Sequence, residues 1–241
     1  MFHYFHGREH ASFRIICLCL VAVTAQILKV GWSIKVAEGH KLPFGSFRLR
    51  RLGASVGIAS PLLAFACILV AIASYPQFSW TNDALSDLGV VKGLTGSLFN
   101  FGLYSSGFLA CIFTVFGLLA YIGKSAVGKA GSLVFAAATV MLVAIGVFNE
   151  DFSGTHFAVS VGFFVLVPIS LFILTYAFAL EHQTRTAAFT ASVGIVAAGP
   201  WILQFALHYV PNVAVPETIS GLAVSAWIVA VSYGISKQAK N

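Results

Sequence analysis

Charge is what this sequence lacks. Only 9% of its 241 residues are Asp, Glu, Lys or Arg, against roughly 25% in soluble domains, so there is too little polar surface to clothe a water-soluble globule. Acids are the scarcer sign, eight against fourteen Lys and Arg. Long polar linkers and low-complexity tracts are also missing, which excludes a disordered chain. With no soluble basic module, nucleic-acid binding is excluded too. The four cysteines, Cys17, Cys19, Cys67 and Cys111, fall inside apolar stretches with neither a disulfide framework nor zinc-ligand spacing, where a thiol acts as a small buried apolar group. No apolar span carries His-Glu-x-x-His or His-x-x-x-His. Gly53-Ala54-Ser55-Val56-Gly57 matches the nucleophile-elbow string but opens a helix with no strand before it, so it reads as helix packing.

What is present is grease in long blocks: 59% hydrophobic residues, with 22 Phe and 22 Gly. A helix needs about 20 mostly apolar residues to cross the hydrocarbon layer. Stretches near that length lie at 52–75, 97–123, 131–149, 157–180, 187–208 and 218–236. Blocks such as Ala64 to Val70 do not alternate as barrel strands would. The expected fold is all-α: a polytopic membrane helical bundle of six core transmembrane helices, with a weaker seventh at Phe13–Leu28. Two regions follow, an N-terminal hydrophobic segment with its basic connection over 1–51 and a six-helix transmembrane domain over 52–241. Small residues four apart, Gly53/Gly57, Gly102/Ser106/Ala110, Gly194/Ala198 and Gly221/Ser225, are expected to let helices approach closely. Pro61, Pro168 and Pro200 lie inside spans, where proline is expected to kink them.

Positive residues stay on the cytoplasmic side. Placing 29–51 in the cytoplasm puts eleven of the fourteen Lys and Arg there and only Lys92 in an external connection, so the expectation is a cell-membrane protein with a cytoplasmic C-terminus. The N-terminal stretch fits a retained helix, a cleavable signal peptide or a dispensable extension. Cleavage would export the six positive charges of 26–51, which favours retention. The basic face suits anionic headgroups, and membrane lipids are the partners to expect.

The acids are placed asymmetrically. Asp83, Asp87, Glu150, Asp151 and Glu217, five of the eight, fall in the external connections, which a packed bundle would gather at one outward-facing end. Each has a plainer reading. Thr81-Asn82-Asp83 suits an N-cap for a short interfacial helix ending at Gly89, and Glu217 suits the positive end of the last helix. Glu150 and Asp151 are expected at the C-terminal, negative end of a span, which makes simple solvation less natural for them. His156 follows Glu150 across a turn containing Gly154 and suits a metal ligand or a proton-transfer partner; His208 is a weaker metal candidate. Asn100 and Gln204 are expected to hydrogen-bond between helices. The ligand-binding candidates are thus Asp87, Asn100, Glu150, His156 and Glu217, the catalytic candidates Ser86, Asp87, Glu150, His156 and Glu217, and the zinc candidates Glu150, His156 and His208.

Trp80-Thr81-Asn82-Asp83 followed by Ser86-Asp87-Leu88-Gly89, then Phe99-Asn100, Gly146-Val147-Phe148-Asn149-Glu150 with His156, and Pro216-Glu217 before a Trp-containing last helix resemble domain-of-unknown-function family 998 over about 52–236. The resemblance implies a six-span core and supports Asp87, Asn100, Glu150, His156 and Glu217, but supplies no reaction. Two functions stay open. One is binding of a lipid or small amphiphile through the outward-facing acidic and histidine cluster. The other is a metal-dependent membrane hydrolase of a lipid or amide, similar in general plan to alkaline ceramidases but without their last-helix histidine pattern. A transporter ranks below both, because no charge lies at mid-span and no inverted repeat is apparent.

Overall fold

The computed structural model describes residues 44–238, and the expected helix at Phe13–Leu28 lies outside them. Six helices fill that range: α1 (Phe44–Ala73), α2 (Leu94–Ile122), α3 (Ala126–Val147), α4 (Ser153–Leu180), α5 (Thr184–Leu207) and α6 (Ala214–Gln238). No strand occurs among the described residues. All six are long and apolar enough to cross a membrane; the shortest, α3 with 22 residues, covers about 33 Å at 1.5 Å per residue. The chain is a multi-pass membrane protein.

The sequence-based spans and the helices agree closely except at the start. α1 begins at Phe44, not 52, so Arg48, Arg50 and Arg51 are helical. Arginine is a good helix former, and its long stem lets the guanidinium reach the membrane boundary while the helix continues. Three-residue connections after α2 and α4 force antiparallel neighbours. Each helix packs against the next, and α1 closes the ring against α6. The ring therefore has two ends. At the basic end Arg50 Nη2 donates to Gln238 Oε1 at 3.2 Å, tying the start of α1 to the end of α6. The opposite, acidic end carries Asp83, Asp87, Glu150 and Asp151 in its connections and Glu217 in the first turn of α6.

Close approach explains Gly53 among the small-residue positions, and Gly107 outside them. A Cβ on Gly53 would come within 2.7 Å of the Phe116 carbonyl carbon, and one on Gly107 within 2.7 Å of the Val143 backbone nitrogen, so α1 meets α2, and α2 meets α3, backbone to backbone. Gly53 faces the π-helical turn Phe113–Leu118, the departure from α-geometry in α2. Pro61, Pro168 and Pro200 lie within α1, α4 and α5, which continue through them. Gly221 and Ser225 line a cavity, and a Cβ at Gly221 would stand 3.5 Å from Phe65 Cζ of α1. On α6, Trp227 is fully buried, and its indole N–H donates to Thr190 Oγ1 at 3.0 Å.

Candidate functional site

The connection between α1 and α2 folds across the acidic end, and its own acids shape it. Asp83 Oδ2 accepts from Ser79 N at 2.7 Å, and Asp87 Oδ2 accepts from Ala84 N at 2.7 Å. The turn that follows is a 3-10 helix, Ser86–Val90, entered from Leu85 without a side-chain cap. Asp83 is thus not the N-cap expected of it, because its carboxylate is spent on the preceding turn. The connection is then stitched to the rest of that end. Asn212 N donates to Thr81 O at 3.0 Å and Ala214 N to Asp83 O at 3.1 Å. Asn100 Nδ2 and Asn149 Nδ2 both donate to Gly89 O, at 2.8 Å and 3.3 Å. Asn100 therefore holds the loop, where an interhelical bond was expected. Gln204 corrects in the same way: its amide pairs with both backbone groups of Val210 and closes the α5–α6 turn.

Three acids converge under this loop. Glu217, in the first turn of α6, accepts the Leu85 N–H on Oε2 at 2.6 Å, so it anchors another element in addition to sitting at a favourable helix end. Glu150 accepts the Ser86 hydroxyl on Oε1 at 2.6 Å. Asp87 lies within electrostatic reach of Glu150 and Glu217, and those two within reach of each other. Glu150 is not at the negative end of a span as the sequence suggested. α3 stops at Val147, and the 3-10 turn Glu150–Phe152 leads directly into α4, so the carboxylate sits near a positive helix terminus.

His156 completes the cluster. It is buried, at 7% exposure, and Nδ1 lies 2.7 Å from Phe148 O. A carbonyl only accepts, so Nδ1 carries a proton and donates it there. Nε2 lies 3.8 Å from Glu150 Oε1, the oxygen that already accepts from Ser86, and 3.4 Å from Ser160 Oγ. One carboxylate oxygen thus stands between a hydroxyl donor and an imidazole nitrogen.

Beneath the loop lies a cavity of about 100 Å³. Leu85, Ser86 and Glu217 line it at the acidic end, and apolar side chains including Phe99, Phe135, Phe163 and Val224 form its walls. Residues of α1, α2, α3, α4 and α6 contribute. Three of its seven serines and threonines are satisfied from the backbone: Ser60 Oγ donates to Ser106 O at 2.9 Å, Thr139 Oγ1 to Ala136 O at 2.7 Å and Thr218 Oγ1 to Ala214 O at 2.7 Å.

The three metal candidates are not brought together. A protein zinc site takes at least three protein ligands, and no group of three His, Cys, Asp or Glu side chains among the described residues is placed to hold a metal ion. Glu150 and His156 are neighbours, whereas His208 is an exposed left-handed cap on α5. Of the sequence candidates, Ser86, Asp87, Glu150, His156 and Glu217 share one site, Asn100 supports it from the loop, and His208 takes no part in it. Sequence reading missed Asn149, Ser160 and the Phe148 carbonyl. Asn149 and Phe148 sit beside Glu150 in the chain, but only the turn into α4 reveals what they bond. Ser160, one turn after His156, was legible from helical spacing.

The family model described as Protein of unknown function (DUF998) matches residues 58–234, which includes every residue of this site. The chain belongs to that family. No curated protein and no solved structure matches it. The family span opens within α1 and closes within α6, so it takes in the ring, the cavity and the acidic loop together. The earlier resemblance to the family over 52–236 agrees with it.

Proposed function

We propose that this member of the family binds a lipid or other small amphiphile at the acidic end of the ring. The apolar part enters the cavity, and the polar part meets Ser86 and Glu217. The observation that carries this is the join between a greasy chamber and a polar roof: ligand sites are concave, mostly apolar and fitted with a few oriented polar groups. Size limits the reading usefully. Apolar cavities of about 150 Å³ take up a molecule as small as benzene, so about 100 Å³ receives a short length of chain, with the remainder lying along the bundle. Ionisable groups inside a membrane protein that face a cavity mark functional sites by default. The acidic end faces away from the cytoplasm of the cell membrane and the C-terminus faces in, because the basic residues flank the other end.

Lipid mass spectrometry of gently extracted protein tests the reading against Gly221→Leu. A Cβ at Gly221 meets only Phe65 Cζ at 3.5 Å, so the leucine grows into the cavity without displacing backbone. The wild type is expected to retain a specific amphiphile and Gly221→Leu to lose it. Equal retention by both proteins would defeat the proposal.

A further inference from the structure

We infer that Ser86 is a nucleophile for acyl transfer, with Glu150 as its general base, His156 as a positioning residue beside that carboxylate, and a carboxylic ester of an amphiphile as its substrate. The inference rests on the cavity reading above, because the acyl chain must enter that chamber to bring its carbonyl to Ser86. Hydroxyls buried in this bundle ordinarily donate to backbone carbonyls. Ser132 donates to Gly128 O, Ser170 to Val167 O and Ser220 to Ala197 O, at 2.8, 2.7 and 2.7 Å, as expected of hydroxyls in membrane helices. Ser86 departs from that habit. It is buried at 7% exposure, lines the cavity and gives its proton to a carboxylate at 2.6 Å. A nucleophile within hydrogen-bond reach of a base, with the base set by a third group, is the arrangement by which serine becomes reactive.

The third group is His156, whose ring is fixed by the Phe148 carbonyl and whose Nε2 lies within ion-pair distance, 3.8 Å, of the same Glu150 oxygen. The step balances as follows. Ser86 Oγ bonds to the ester carbonyl carbon while its proton passes to Glu150, which His156 Nε2 flanks at 3.8 Å. The carbon–oxygen bond to the alcohol then breaks, and the departing oxygen takes that proton. The acyl group remains on Ser86 until water, or a second lipid alcohol, attacks the new ester and returns a proton to Oγ. No metal, oxidant or reductant enters.

The test uses the full chain in lipid nanodiscs with a long-chain fluorophosphonate, which labels activated serines, followed by peptide mass spectrometry, and in parallel the hydrolysis of 4-methylumbelliferyl octanoate. The wild type is expected to carry the label on Ser86 and to release the fluorophore. Ser86→Ala is expected to do neither. Glu150→Gln still accepts the Ser86 hydrogen bond but no longer takes its proton, and is expected to label and turn over at least 100-fold more slowly, within the range for loss of a general base. Thermal melts show whether each variant is folded, and Glu150→Gln decides the matter should Ser86→Ala not fold. A wild type that takes no label at Ser86, or a folded Glu150→Gln that labels at the wild-type rate, overturns the inference. Co-purified amphiphile on an unlabelled wild type would leave the binding proposal standing and remove this one alone.

Discussion

The bond from Leu85 N–H to Glu217 Oε2 should be what closes the loop over the cavity, and its removal gives a quantity to measure. The contact is 2.6 Å long, links positions 132 residues apart and involves a half-buried carboxyl group. Removing the acceptor leaves the buried Leu85 N–H without a partner, which costs about 1–3 kcal/mol, so Glu217→Leu should favour local opening by about 2 kcal/mol. At 1.4 kcal/mol per factor of ten, that is a roughly 30-fold rise in the open population. Amide hydrogen exchange reports it directly where opening limits exchange. Peptides covering 84–91 should exchange about 30-fold faster in Glu217→Leu, while peptides from mid-α3 stay unchanged. Glu217→Gln keeps a carbonyl acceptor and should fall between the two. The other ties of this loop, from Asn212, Ala214 and Asn100, should keep the change local. Unchanged exchange over 84–91 in Glu217→Leu would refute the idea that Glu217 fastens the roof.

Two further predictions concern packing and orientation. Gly53→Ala forces a Cβ against the backbone of the π-helical turn and should destabilise the protein by about 1–3 kcal/mol, the usual scale of overpacking, in an SDS-unfolding titration. Gly199→Ala, where a Cβ meets nothing within 4 Å, should be neutral or stabilising by up to about 1 kcal/mol; a Gly53→Ala protein as stable as Gly199→Ala would show that α1 and α2 are not so close. With the four native cysteines replaced, Asp151→Cys should react with an impermeant maleimide added to intact cells and Lys124→Cys only after permeabilisation, and the reverse pattern would invert the proposed topology.

The helices were legible because lipid imposes a length and a composition on every span, and Gly, Pro and charge punctuate their ends. The error at the start of α1 has the same root: charge marks where the apolar layer stops, not where helical hydrogen bonding stops, and Arg48, Arg50 and Arg51 fall between those two boundaries. The gathering of Asp87, Glu150 and Glu217 was legible too, since alternation of spans sends every second connection to one end. Partners were not. Asp83 and Thr81 look like a helix cap in sequence, yet whether the Asp83 carboxylate reaches forward to a helix or back to Ser79 depends on where the 3-10 turn begins. Glu150 was misplaced by three residues of turn, and that shift reverses the sign of the helix terminus beside it. Gly221 and Ser225 show the same gap from another side: small residues four apart mark a surface without bulk, and only packing decides whether a neighbouring helix fills the space or a cavity takes it. The chemistry follows that distinction. Had a helix closed against Gly221, Ser86 and Glu217 would be ordinary loop anchors; because the space beneath them is open, the same hydrogen bonds present a hydroxyl and a carboxyl group to whatever enters.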